Sequence, residues 1–104
     1  MIVVVKNDHL EVRDPDDFGR FHVDTAAVTK SEFAALLQLG LGVEAHPDPS
    51  HVWVTTDTLR DLLDTENNRN RAEGLDRMLD YASSRGWLNE AGTQVAAHVE
   101  AAAH

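Results

Sequence analysis

Apolar residues are spaced by two over much of the first quarter of the chain and by three and four in the segments that follow Phe33, with a return to two at residues 93–101. A period of two belongs to a strand with one buried face, and a period of 3.6 to a helix with an apolar stripe. A chain carrying both has to bury the apolar face of a sheet under helices.

Ile2–Lys6 is a β-branched run, Asn7-Asp8 is a turn pair, and His9–Arg13 alternates with Leu10 and Val12 on one side. A hairpin over residues 2–13 is expected. Asp14-Pro15-Asp16-Asp17 then reads as a loop, after which Phe18–Asp24 alternates again. Phe21 and Val23 share one face, and Arg20, His22 and Asp24 the other. These three segments predict three antiparallel strands.

Thr29-Lys30-Ser31-Glu32 has the form of a capping box, and Phe33, Leu36, Leu37 and Gly40 follow at helical spacing. Gly40 or Gly42 supplies the stop. Val43–Ser50 holds two prolines and reads as a loop, and His51–Thr55 as a buried strand. Thr55, Thr56 and Asp57 are all suited to cap a short helix carrying Leu59, Leu62 and Leu63. A longer helix over residues 68–85 has Ala72, Leu75, Met78, Leu79 and Ala82 on one side, and Gly86 ends it. Trp87-Leu88 folds back on that end. From Thr93 to Ala101 the apolar residues Val95, Ala97 and Val99 alternate with polar ones and favour a strand, although the five alanines after Gly92 also suit a helix. Ala101–His104 reads as a frayed end. The expected architecture is a single α+β domain over residues 1–104: an antiparallel sheet of four to five strands with two to three helices packed mainly on one face.

Composition removes several functions. No cysteine is present, which excludes disulfides, thiolate nucleophiles and cysteine-held metals. No apolar run approaches the roughly 18 residues of a membrane helix, and the start lacks the features of a secretory signal. A cytoplasmic location fits. The formal charge is −9. Five of the seven arginines fall in residues 57–85, where seven acids outnumber them. Nucleic acid and anionic membranes are therefore not expected partners, because both are bound by net positive charge.

Six histidines are the feature with chemistry behind it. His46, Asp48 and His51 lie within six residues and come closest to a metal set, but no HExxH or comparable spacing accompanies them, and no metal or cofactor is assigned. His22 and His98 occupy polar positions on predicted strands. Should His22, His51 and His98 meet, they would line a ligand pocket between sheet and helices together with Trp53 and Tyr81. Solvated polar-face histidines are the plainer reading. Trp53 and Trp87 read as core, and Tyr81 as partly exposed. Asp14, Asp16 and Gly19 match the start of a calcium loop, but Phe18 and Thr25 stand where ligands belong. No nucleophile elbow, P-loop or dinucleotide fingerprint is present.

Three functions follow as expectations. The first is a non-catalytic protein-interaction or assembly module, with a protein partner that includes a second copy of the chain as a homodimer. The second is a small enzyme or small-molecule or metal binder using the histidine-containing pocket. The third is a winged-helix DNA-binding regulator with Arg69, Arg71, Arg77 and Arg85 on its recognition helix, a reading that the charge opposes.

Overall fold

A computed structural model describes residues 1–40 and 42–100, and it has an α+β architecture. The strands are β1 (Ile2–Val5), β2 (Leu10–Arg13), β3 (His22–Asp24), β4 (Val43–Ala45), β5 (His51–Thr55) and β6 (Gln94–Glu100). The helices are α1 (Lys30–Leu39), α2 (Thr56–Leu63) and α3 (Arg69–Ser84), with one 3-10 turn at Phe18–Arg20. Ala101–His104, read above as a frayed end, and Leu41 lie outside the described residues.

The sheet has six strands in the order β2-β1-β3-β6-β5-β4 and is mixed, where an antiparallel sheet of four to five was expected. β1 and β2 form the expected hairpin, with Val3 opposite Val12. β3 is the departure. It lies on the far side of β1 and runs parallel to it, with Val23 opposite Val3. Residues 14–21 carry the chain beneath the start of β1, so β3 emerges on the other edge. The Met1 amine donates to the Asp17 carbonyl, and the His22 amide donates to the Met1 carbonyl at 3.4 Å, which pins this crossing. Half of the alternating Phe18–Asp24 segment is consequently not a strand. A strand that was not expected is β4, in the segment read as a loop; Val43 pairs with Val54, and Val43 is buried.

The helix ends follow their local signals. Thr29 and Glu32 form the reciprocal capping box, and Gly40 closes α1 in the left-handed conformation. The Thr55 hydroxyl caps α2 and the Asn68 side chain caps α3. One face of the sheet contributes Val3, Val5, Val23, Val43, Val52, Val54, Val95 and Ala97 to the core. The helices add Leu36, Leu59, Leu63, Leu75 and Ala82 to the same cluster.

The opposite face carries Asp24, 5% exposed. Its carboxylate accepts from the Ala26 amide at 2.8 Å and from the Arg13 guanidinium at 3.1 Å, tying β3 to β2 across β1. Burial pushes the Asp24 pKa up, but the Ala26 amide and Arg13 together outweigh it and hold the group below the ordinary carboxylate value. A depressed carboxylate pKa stabilises the fold above its unfolded pKa of about 3.9, and that contribution is lost as pH falls through the folded value. Asp24→Ala is expected to lower stability at neutral pH by about 1.5–3 kcal/mol, the usual worth of hydrogen bonds to a charged group. Urea unfolding should show wild type and variant converging as pH falls below about 4.

Gly74 lies inside α3, where a Cβ would sit 2.4 Å from the Phe18 ring. The ring occupies the space of the missing side chain. Gly74→Ala should reduce Tm, because overpacking costs about 1–3 kcal/mol and outweighs the gain in helix propensity of up to about 1 kcal/mol.

Candidate functional site

The β5–β6 ladder sets the face on which the site forms. Val52 and Val54 point into the core, so His51 and Trp53 point away from it. The register places His51 opposite His98 and Trp53 opposite Ala96. Ala96 is small, which leaves room beside the indole. The two imidazole rings meet edge to face at 5.5 Å.

On its other side β6 pairs with β3 at two positions, Val23 with Val99 and Asp24 with Glu100. Upstream of these the two strands separate. A groove of about 1060 Å³ opens in the fork. Phe18, Gly19 and Phe21 line one wall, and Trp53, Ala96 and His98 the other. α3 closes the back with Gly74, Arg77, Met78 and Tyr81. Trp87 stands at the rim, held by its carbonyl accepting from the Ala96 amide at 2.8 Å. Tyr81 and Trp87 pack edge to face at 5.7 Å, and the Arg85 guanidinium lies 5.9 Å and 5.7 Å from their ring centres.

Four of the five pocket residues read from the sequence line this groove: His51, Trp53, Tyr81 and His98. His22 does not. It would have stood level with His98, but β3 and β6 part at that point. His22 instead lies 3.4 Å from the Glu100 carboxylate, with Nδ1 3.2 Å from the Arg20 carbonyl. Tyr81 is 57% exposed, in keeping with its partly exposed position on the helix. Trp87 is 44% exposed and Trp53 half-buried, so neither tryptophan is core. Phe18, Phe21 and Arg77 were not legible as lining residues. The one sequence signal for this wall is Gly74, a glycine inside a helix that marks close approach of another group.

His46 and Asp48 also line the groove, through the loop between β4 and β5. The His46 ring packs on Trp53 at 4.5 Å and lies 5.6 Å from that of His51. Asp48 accepts from the Ser50 amide at 2.9 Å and the Ser50 hydroxyl at 2.7 Å, and its other oxygen lies 3.2 Å from His51 Nδ1. The Ser50 amide, then its hydroxyl, holds the Asp48 carboxyl below its ordinary pKa. His46 Nδ1 accepts from the Asp48 amide at 2.9 Å. These bonds engage Nδ1 of both imidazoles and both oxygens of Asp48. Among the described residues no group of three or more histidine, aspartate or glutamate side chains is placed to hold a metal ion. Ser50 also forms no nucleophilic triad. Its hydroxyl and Asp48 both contact the same nitrogen of His51, whereas a triad places them on opposite nitrogens.

No protein-family model, curated protein or solved structure matches the chain. Among the described residues no helix is long and apolar enough to cross a membrane.

Ser50→Ala removes one of the two Ser50 bonds that stabilise ionised Asp48 and keeps the amide. The Asp48 pKa is expected to rise part of the way back to the ordinary value, read by carbon-detected NMR titration of its carboxyl.

Proposed function

We propose that the groove binds a small, flat, largely apolar molecule, with an aromatic ring stacked among Trp53, Tyr81 and Trp87. One observation carries this reading: aromatic and imidazole side chains from the 3-10 turn, the β4–β5 loop, β5, α3, the Trp87 segment and β6 converge on one concavity. Its volume of about 1060 Å³ lies just above the range for small-molecule sites, roughly 300–1,000 Å³. Ligand sites are concave and aromatic-rich with a few polar groups, which is the composition of this lining. The flat patch of an assembly surface has no such need for depth. Two of the arginines offered for a recognition helix are engaged elsewhere, Arg69 with Glu73 at 3.8 Å and Arg71 with Asp16 at 3.2 Å. The small-molecule reading therefore stands ahead of the assembly and winged-helix readings.

The chain has two tryptophans and both line the groove, so intrinsic fluorescence reports directly on its occupancy. Indole and phenylpyruvate are expected to shift the amide signals of Trp53, Ala96 and Trp87 in NMR titrations, and phenylpyruvate to quench the fluorescence to saturation. Ala96→Phe fills the groove and should weaken binding at least about tenfold, the loss that 1.4 kcal/mol of contact corresponds to. Shifts scattered over the surface, or unchanged by Ala96→Phe, would sink the reading.

A further inference from the structure

The loop between β4 and β5 settles which nitrogen of each imidazole carries the proton. The Ser50 hydroxyl donates its one proton to Asp48 Oδ1 at 2.7 Å. Toward His51 Nδ1, 2.9 Å away, the Ser50 oxygen then acts as acceptor. Asp48 Oδ2, 3.2 Å from the same nitrogen, is also an acceptor. Two acceptors facing Nδ1 place the proton there and leave the lone pair of neutral His51 on Nε2. His46 is arranged in the opposite sense. Its Nδ1 accepts the Asp48 amide at 2.9 Å, so its proton is on Nε2. Two rings 5.6 Å apart at the edge of one groove thus present a proton acceptor and a proton donor.

We propose that this pair makes the groove catalytic: His51 is a general base and His46 a hydrogen-bond donor for proton transfer at the carbon beside the carbonyl of an aromatic oxo compound. The inference rests on the reading of the groove as a small-molecule site. The arrangement matches what enolisation requires, a base at the carbon and a donor at the oxygen where negative charge develops. Trp53, 4.5 Å from His46, is the platform on which the aromatic part of the substrate stacks beside the donor. His98 covers the other side of the His51 ring at 5.5 Å.

In the step, His51 Nε2 takes a proton from the α-carbon and the electron pair of that C–H bond moves to form the enolate. The enolate oxygen accepts a hydrogen bond from His46 Nε2–H. The His51 imidazolium, facing the Asp48 carboxylate, then returns a proton to the carbon. No redox change and no leaving group are involved. The depressed pKa of Asp48 keeps its charge in place while the imidazolium exists. Asp48 is a positioning residue, since it acts through His51.

Phenylpyruvate in D₂O tests the proposal, with loss of its α-proton signal followed by NMR and binding followed separately by tryptophan fluorescence. The intact chain is expected to exchange the α-proton at least about 100-fold faster than an equal concentration of free imidazole, the lower range of general-base effects. His51→Gln should fall to the imidazole level with binding retained. His46→Leu should lower the rate, and His46→Gln should restore part of it, since an amide N–H replaces the donor. Asp48→Asn turns an amide donor toward Nδ1, moves the His51 proton to Nε2 and should abolish exchange without loss of binding, whereas Asp48→Glu should recover part of the rate. Binding without exchange above imidazole, or exchange unchanged in His51→Gln, overturns the catalytic proposal and leaves the groove reading standing. Absence of binding overturns both.

Discussion

The antiparallel ladder between β5 and β6 is the interaction on which the rest of the molecule depends. Its five residue pairs run from His51 with His98 to Thr55 with Gln94. Because successive side chains alternate, this one register sends Val52, Val54, Val95 and Ala97 into the core and His51, Trp53, Ala96 and His98 to the other face. A slip of one residue would bury the imidazoles and expose the valines, and burial of four apolar side chains at roughly 1–3 kcal/mol each makes that slip prohibitive. The stability of the core and the composition of the groove wall are thus set by the same hydrogen-bonded pairs.

The groove is a consequence of how little β3 and β6 share. Among the described residues two pairs join the halves of the sheet, and the 3-10 turn at Phe18–Arg20 takes the place of further strand before β3. α3 closes the back of the fork. The absence of a side chain at Gly74 lets the Phe18 ring lie against the helix, so an aromatic ring lines the groove on this side as Trp53 does on the other. The half-buried Arg13–Asp24 contact lies close to the point where the strands rejoin, and it braces the parallel β1–β3 pair that the fork starts from.

Polar order in the groove comes from a loop of short-range bonds. Asp48 is held by Ser50 and in turn faces His51, while its own amide orients His46. Each bond spans three residues or fewer, so this segment presets its imidazoles before any ligand arrives. Preorganisation of this kind is what a site for proton transfer needs, because the groups do not have to reorganise as charge develops.

Much of this was legible locally. The capping box at Thr29, the glycine stop at Gly40, the helix spanning Leu75 to Ala82 and the strand over His51–Thr55 all follow from interactions within a few residues. Alternation over residues 93–101 placed His98 at a polar position, whereas Trp53 read as core because it sits within an apolar strand. The strand partners were not legible, because pairing is decided by burial between segments far apart in the chain. His22 shows the limit: its face was readable, but its distance from His98 depended on where β3 and β6 diverge. Trp87 read as core because nothing local distinguishes a tryptophan sealing a helix end from one lining a groove. By itself the sequence determined the three helices with their ends and the β1–β2 hairpin, since those are set by backbone capping, side-chain period and a local turn. The tertiary structure alone decided the parallel placement of β3, the fork and the meeting of His46, His51 and His98, since loop path and long-range packing choose which faces come together.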